Sequence, residues 1–150
     1  MAHSPSATRP IFAGEFRHAL DGKKRITVPS RWRTSDADEF FLIRNPTREC
    51  LTVMPPDVFQ SLGEDSKVLG DPGRRQDFIR RLYARAQHTS ADKQGRLLLS
   101  EDHCLAAALK DEVVLTGAYD RFEIWSPANW EKFRDGEAEN YQEVARQIGL

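Results

Sequence analysis

The feature that most constrains this chain is a motif that occurs once in each half. The stretch LDGKKRITVPSRWR begins at position 20, and ADKQGRLLLSEDHC begins at position 91. In each, an aspartate is followed four positions later by an arginine and then by a short aliphatic run. The pairs are Asp21 with Arg25 and Asp92 with Arg96, 71 residues apart. This spacing predicts two copies of one local structure.

The similarity continues downstream of both motifs. EFFLIRNPTRECLTVMPPDVF at 39–59 parallels EVVLTGAYDRFEIWSPANW at 112–130. Each reads as a strand, a turn, a strand and a helix that starts with proline. Two matches in the same order predict a duplicated unit. Because each unit has only a few short strands, we expect the units to interlock their strands and bury both apolar faces.

Turn signals and apolar runs predict the strands of both units. In the first unit, strands at 11–19 and 25–28 are expected to form a hairpin around Asp21-Gly22, because glycine tolerates positive φ. Strands at 40–43 and 50–54 form the next predicted pair, with Asn45-Pro46 in the connection. In the second unit, strands at 113–115 and 122–125 are expected to pair across residues 117–120.

Three helices are predicted from caps and spacing. Asp71-Pro72 starts one at about 73–86, with Phe78 and Leu82 on its apolar side and four arginines towards the other. Ser126-Pro127 provides an N-cap and a first-turn proline for the second. A weaker helix at 137–147 has few apolar anchors, so we expect it to dock only partly.

The charge of the chain alternates along its length. The formal net charge is -1, but residues 1–33 carry +5, 34–70 carry -4, 71–99 carry +4 and 100–150 carry -6. Charge alone favours ordinary surface patchiness. A basic block can also bind phosphate while the acidic blocks face away.

The residues resemble the MraZ family, bacterial transcriptional regulators built from two AbrB-like units. The resemblance rests on GEFRHALDGKKRITVPSRWR, ADKQGRLLLS and EVVLTGAYDRFEIWSPANWEKF, and it covers roughly residues 11–134. It implies a β-rich α+β fold, a duplicated swapped-hairpin (double-split) β-barrel with short peripheral helices. The expected segments are a disordered arm at 1–10, a first unit at 11–62, a linking helical region at 63–88, a second unit at 89–134 and a C-terminal helix or tail at 135–150.

The resemblance also implies partners. These are double-stranded DNA, as short direct repeats upstream of the division and cell-wall gene cluster, and further copies of the chain in a ring-shaped homo-oligomer. The protein would repress that cluster. No apolar run is long enough to cross a bilayer, and the N-terminus has no apolar signal segment, so we expect a cytoplasmic, nucleoid-associated protein.

The candidate DNA contacts surround the first motif. Arg25 either pairs with Asp21 or contacts DNA, where its planar fork can read guanine; the resemblance favours DNA. Asp21 is assigned to the turn, since a carboxylate repels phosphate. For Arg96 we expect a structural salt bridge, because Glu101 and Asp102 follow it. The predicted DNA-binding residues are His18, Lys23, Lys24, Arg25, Arg31 and Arg33, and the motif residues expected to be structural are Asp21, Asp92 and Arg96.

Other chemistry has no support in the sequence. No CxxC, HxxxH, HExxH or GxSxG pattern and no phosphate-binding glycine loop occurs, so we expect no metal, cofactor, small-molecule substrate or catalysis. Cys50 and Cys104 are interpreted as buried free thiols. Two alternatives stay open. One is an oligomeric protein-interaction scaffold whose arginine helix docks acidic partners, and the other is an antitoxin-like AbrB relative.

Overall fold

The structure, a computed structural model, describes residues 9–136 and 140–150. Within these residues the fold is β-rich α+β, which confirms the predicted class at this level. The strands are β1 (Glu15–Ala19), β2 (Arg25–Thr27), β3 (Glu39–Arg44), β4 (Leu51–Met54), β5 (Gln87–Ser90), β6 (Arg96–Leu98), β7 (Glu112–Gly117) and β8 (Phe122–Trp125). The helices are α1 (Pro56–Asp65), α2 (Pro72–Ala84), α3 (Glu101–Ala106), α4 (Pro127–Asp135) and α5 (Tyr141–Gln147).

The strands form two antiparallel sheets that join the two halves of the chain. Six strands lie in the order β1-β7-β8-β4-β3-β5, and β2 pairs with β6 in a separate two-stranded ribbon. The predicted pairs at 40–43 with 50–54 and at 113–115 with 122–125 are confirmed as β3 with β4 and β7 with β8. Four other pairings cross between the halves: β1 with β7, β2 with β6, β3 with β5 and β4 with β8.

The predicted hairpin of β1 with β2 is wrong. Two main-chain bonds of 3.0 Å, from Asp21 N to Arg25 O and from Lys24 N to Asp21 O, close the connection, and the two strands then enter different sheets. Burial explains the outcome, because the ribbon partner of Ile26 is Leu97, and both side chains are fully buried. A local hairpin would forgo this contact between the halves.

The duplication is visible in the pairing registers. On one side of the large sheet β1 lies on β7 with Ala19 opposite Glu112, and on the other β5 lies on β3 with Ser90 opposite Glu39. Ala19 and Ser90 are 71 residues apart, the offset of the sequence repeat. The two halves therefore exchange equivalent strands around a pseudo-twofold relation.

The largest of three apolar clusters in the described residues lies between the large sheet and the ribbon. Phe12, Trp32 and Phe122 pack ring against ring at its centre, with centroid separations of 5.1–5.6 Å. The indole N–H of Trp32 donates to Ala13 O at 3.1 Å, which satisfies the one polar atom of this buried ring. The core therefore fixes the ribbon against the sheet, and with it the loops at the ends of the ribbon.

Helices cover the outer face of the large sheet. Asp71 caps α2 by accepting from Gly73 N and Arg74 N, as its sequence position predicts, and Leu82 is the buried anchor of this helix. Ser126 caps α4 by accepting from Asn129 N, also as predicted. The apolar side chains of α5 remain exposed: Tyr141 is 70% exposed and Val144 50%, which agrees with a helix that docks only partly.

The two cysteines lie in the interior of the fold. Cys50 and Cys104 are both buried free thiols, as predicted, and burial raises the pKa of each. In the described part of the chain, none of the helices has both the length and the apolar character to cross a membrane. The same residues contain no group of three metal-ligating side chains. Residues 1–8 of the predicted arm lie outside the described residues.

Candidate nucleic-acid interface

The first loop, residues 21–25, is organised by the carboxylate of Asp21. Its Oδ1 accepts from Lys23 N at 2.9 Å and from Arg25 N at 2.8 Å. Its Oδ2 accepts from Arg25 Nε, also at 2.8 Å. The salt bridge that sequence reasoning weighed against DNA contact is therefore present. It holds the Arg25 guanidinium at one edge and leaves its side chain 26% exposed.

The second loop, residues 92–96, repeats this arrangement bond for bond. Asp92 Oδ1 accepts from Gln94 N at 3.0 Å and from Arg96 N at 2.9 Å, and Oδ2 accepts from Arg96 Nε at 2.8 Å. The predicted structural salt bridge of Arg96 exists, and its partner is Asp92. The shared spacing of aspartate and arginine thus encodes one self-contained turn.

Both turns require positive φ at the residue before the arginine. This residue is Lys24 in the first loop, with φ +63°, and Gly95 in the second, with φ +78°. The expectation that Gly22 supplies the positive φ is wrong, because the carboxylate bonds place the left-handed residue two positions later. Lys24 adopts this conformation although it has a Cβ, whereas glycine would adopt it with less backbone strain.

The loop carboxylates stay charged at neutral pH. Hydrogen bonding from the Arg25 backbone N–H is the main cause that lowers the pKa of Asp21, and the Arg25 guanidinium lowers it further. The pKa of Asp92 is lowered in the same way by Arg96. Each carboxylate therefore keeps its loop closed and neutralises part of the charge of its own arginine.

The two loops lie at opposite ends of the β2–β6 ribbon. Because the strands are antiparallel, Arg25 is opposite Leu98, and Thr27 is opposite Arg96. Two main-chain bonds extend the ribbon beyond these pairs, from Leu99 N to Lys24 O and from Val28 N to Gly95 O, each 2.8 Å. Each loop is therefore hydrogen-bonded to the segment that follows the other strand of the ribbon.

This register separates residues that the sequence suggested would flank one hairpin. Arg31 and Arg33 follow β2, so they lie at the end of the ribbon occupied by the second loop. Glu101 and Asp102 begin α3 after β6, at the end occupied by the first loop. The expectation that Arg31 and Arg33 adjoin the first loop is wrong, as is the expectation that the two acidic residues adjoin Arg96. Antiparallel pairing between the halves is the physical reason.

Arg33 packs directly on the second loop. A Cβ built at Gly95 would lie 2.8 Å or less from three atoms of the Arg33 side chain. Arg33 Nε is buried and has no hydrogen-bond partner among residues 9–136 and 140–150. Glycine at position 95 thus satisfies both the positive φ and the close approach of this guanidinium.

The remaining candidates differ in exposure. Lys23, Lys24 and Arg31 are exposed to solvent. His18 is half-buried on β1, opposite Val113 in the large sheet, and is not part of the ribbon. The structure therefore divides the predicted residues into three groups: Lys23, Lys24 and Arg25 at one ribbon end, Arg31 and Arg33 at the other, and His18 on the sheet.

Sequence reasoning missed that Lys93 shares a ribbon end with Arg31 and Arg33. Lys93 is exposed at the tip of the second loop. The signal was present in the repeat, because pairing the two copies in antiparallel register sets each loop against the segment after the other strand. The secondary-structure propensities of one copy alone cannot show that Lys93 lies near these arginines.

Comparison with known proteins identifies the relatives of this fold. A protein from Pediococcus pentosaceus named "Transcriptional regulator MraZ" is 33% identical over 139 residues, which is 92% of this chain and 96% of the relative. A protein of the same name from Heliobacterium modesticaldum is 38% identical over 141 residues, again 92% of this chain and 96% of the relative. The chain belongs to the MraZ family.

Other matches agree with this assignment. The relative of the same name from Thermomicrobium roseum is 38% identical over 122 residues, 80% of this chain and 84% of the relative. The family model described as "MraZ protein, putative antitoxin-like" matches residues 82–149. The matches to the first two relatives span 92% of this chain and so include both of its loops, whereas the family model begins within α2 and covers the second loop only.

Proposed function

We propose that this chain is a sequence-specific DNA-binding transcriptional regulator and not an enzyme. The observation that carries the proposal is the pair of fixed loops: each presents lysine at an exposed tip while its aspartate holds the arginine in place. A loop of preset shape loses little conformational entropy on binding, and lysine and arginine are the side chains that hold phosphate and read guanine. The two relatives from Pediococcus pentosaceus and Heliobacterium modesticaldum, each named as a transcriptional regulator, support the same function.

In this proposal Lys23, Lys24 and Arg25 contact DNA directly. Arg25 uses only Nε on Asp21, so its two Nη groups stay available to an acceptor on a base or a phosphate. Arg31 and Arg33 contact phosphate from the other end of the ribbon. His18 lies on β1 and takes part only where DNA extends over the edge of the large sheet.

The proposed assembly is a ring-shaped homo-oligomer that binds short direct repeats at the division and cell-wall gene cluster and represses it in the cytoplasm, at the nucleoid. Each protomer offers small contact loops, and repetition around a ring would multiply weak contacts by roughly 10²–10⁴. The proposed fold at the finer level is the double-split barrel, supported by the four strand pairings that cross between the halves.

The test is a mobility-shift titration with a duplex selected from random oligonucleotides, repeated over a salt series. The selection yields the motif and its spacing, and affinity should fall steeply with salt because neutralised phosphates release counterions. A duplex whose affinity hardly changes between low and physiological salt would contradict the proposal. An elevated 260/280 nm absorbance ratio of the purified protein would support it.

The alternative, a protein-interaction scaffold, is favoured by one feature. A groove of about 1030 Å³ lies between α2, the β3–β4 connection and α3, with Phe78 and Arg85 on its wall. Protein that binds no duplex yet captures an acidic peptide through this groove would favour the scaffold. Substitution of Arg85 separates the two functions, because it should weaken peptide capture and leave DNA binding unchanged.

A further inference from the structure

The two ends of the ribbon carry different charge although their loops share one geometry. At the first-loop end, loop 21–25 and segment 99–104 together contain three cations and three carboxylates, the latter being Asp21, Glu101 and Asp102. At the second-loop end, loop 92–96 and segment 28–33 contain four cations and one carboxylate, Asp92. Since each loop is hydrogen-bonded to the segment opposite it, these groups belong to one local surface.

We infer that the second-loop end, formed by Lys93, Arg96, Arg31 and Arg33, is a second phosphate-binding site for duplex DNA, assembled from both halves of the chain. This inference rests on the proposed DNA-binding function and extends it to a loop that the sequence assigned a structural role. Neither half contains the site alone, because two of its cations come from each.

The state of Arg33 supports an anion at this end. Its guanidinium is pressed against Gly95, and its Nε is buried without a partner among the described residues. No carboxylate within the described part of the chain lies within 4.0 Å of its guanidinium. A guanidinium with unused N–H donors beside a cationic loop can form strong, charge-assisted hydrogen bonds with a phosphate oxygen.

Asp36, the nearest carboxylate along the chain, forms no ion pair with Arg33 among the described residues, and Asp38, two positions further on, is engaged elsewhere. Asp38 accepts hydrogen bonds from Thr34 N at 2.8 Å, from Thr34 Oγ1 and from Ser35 Oγ. These bonds lower the pKa of Asp38 against the effect of its partial burial and close a turn after Arg33. Asp92 is likewise held by its own loop, so neither carboxylate is directed at the arginines of segment 28–33 by a hydrogen bond in the structure.

At the first-loop end the acidic residues are close to the loop tip. Leu99 N donates to Lys24 O at 2.8 Å, which places the start of α3 beside that tip. Both Lys24 and Glu101 act electrostatically on the thiol of Cys104 from this position. Phosphate approaching the first loop therefore meets the carboxylate of Glu101, which favours contacts by Arg25 to bases over close phosphate contacts there.

The experiment compares paired substitutions that each remove two cations. A random 30-base-pair duplex at low salt serves as the probe, because phosphate contacts are independent of sequence. Lys93→Ala with Arg31→Ala should weaken binding about tenfold or more and reduce the magnitude of the log–log salt slope by about two. The matched control, Arg74→Ala with Arg80→Ala, removes two exposed arginines from α2 and should change affinity less than about twofold.

The outcomes separate the two proposals. Wild-type binding with equal losses in both paired variants would overturn the second phosphate site and leave DNA binding in place. A wild-type protein that binds no duplex at low salt would overturn both. Circular dichroism and native mass of each variant show whether fold and assembly persist. If the paired variant assembles poorly, Lys93→Ala alone, at an exposed loop tip, should reduce the log–log salt slope of DNA binding by about one.

Discussion

The two loops share one backbone conformation and differ in the charged side chains that surround it. In both, an aspartate binds two backbone N–H groups and the Nε of an arginine at nearly identical distances. The first loop carries lysine at its positive-φ position and faces the acidic start of α3. The second carries glycine there and faces two arginines. Turn geometry is thus a local property of the motif, whereas the electrostatic character of each loop comes from the other half of the chain.

This difference shows how a duplicated unit can acquire two roles. Gly95 leaves room for Arg33 and so connects the second loop to the arginines after β2. Lys24 adds an exposed cation but strains the backbone. Substitutions in either loop can test this contrast.

Arg25→Ala should abolish binding to a selected duplex, with a loss of about 100-fold or more, and leave the assembly intact. One bidentate contact to guanine provides roughly 1–3 kcal/mol, and a multivalent ring repeats the loss in every protomer. Arg96→Ala, which breaks the equivalent ion pair, should cost much less. Gel shift measures affinity and native mass measures assembly. An Arg96→Ala loss equal to that of Arg25→Ala would remove the functional contrast between the loops.

Gly95→Ala should destabilise the fold by about 2 kcal/mol, because the new Cβ requires positive φ and collides with the Arg33 side chain. Thermal unfolding should show a decrease in Tm of several degrees. Gly22→Ala is the control, since nothing lies within 4 Å of the added Cβ. Combining Gly95→Ala with Arg33→Ala should recover the part of the loss that is due to collision. No recovery would mean that backbone strain alone restricts position 95.

Lys24→Gly should stabilise the fold by about 0.5 kcal/mol, since glycine adopts the left-handed conformation without the strain of a Cβ but loses more entropy on folding. Its Tm should rise by ~1–2 °C. The same change removes one cation from the first loop, so the salt slope of DNA binding should decrease by about one if Lys24 contacts phosphate. Lower stability would show that the lysine side chain has a contact that offsets its strain.

Asp21 and Asp92 should each titrate below the ordinary aspartate pKa, because each accepts hydrogen bonds from the backbone and the arginine of its own loop. Because the pKa of each carboxyl is lower in the folded state, its ionised form stabilises the fold at pH values above the unfolded pKa, near 3.9. This contribution to the free energy of unfolding is lost as the pH falls through the folded-state pKa. NMR titration of the side-chain carboxyl carbons measures both midpoints. In Asp21→Asn the midpoint of Asp92 should not move, because the loops lie at opposite ends of the ribbon. An unshifted Asp21 midpoint in the wild type would show that its loop is open in solution.

Much of the fold could be predicted from patterns short enough to act locally. Two strand pairs were correct because their strands are adjacent in sequence and separated by clear turn residues, as in β7 and β8 around 118–121. Helix starts were correct because Asp71 and Ser126 satisfy N–H groups two or three residues away. The Asp21–Arg25 ion pair was weighed as the alternative to DNA contact, and a salt bridge was expected for Arg96 but without Asp92 as its partner.

The sequence by itself determined that a turn unit occurs twice and that neither copy has enough strand to enclose a core. Only the tertiary structure decided which strands pair and which charges meet. Burying Ile26 against Leu97 requires β2 to leave β1 and join β6, and the antiparallel register then carries Arg33 to Gly95 and the start of α3 to Lys24. Side-chain burial acts between residues about 71 positions apart, so no local pattern in either copy could specify it.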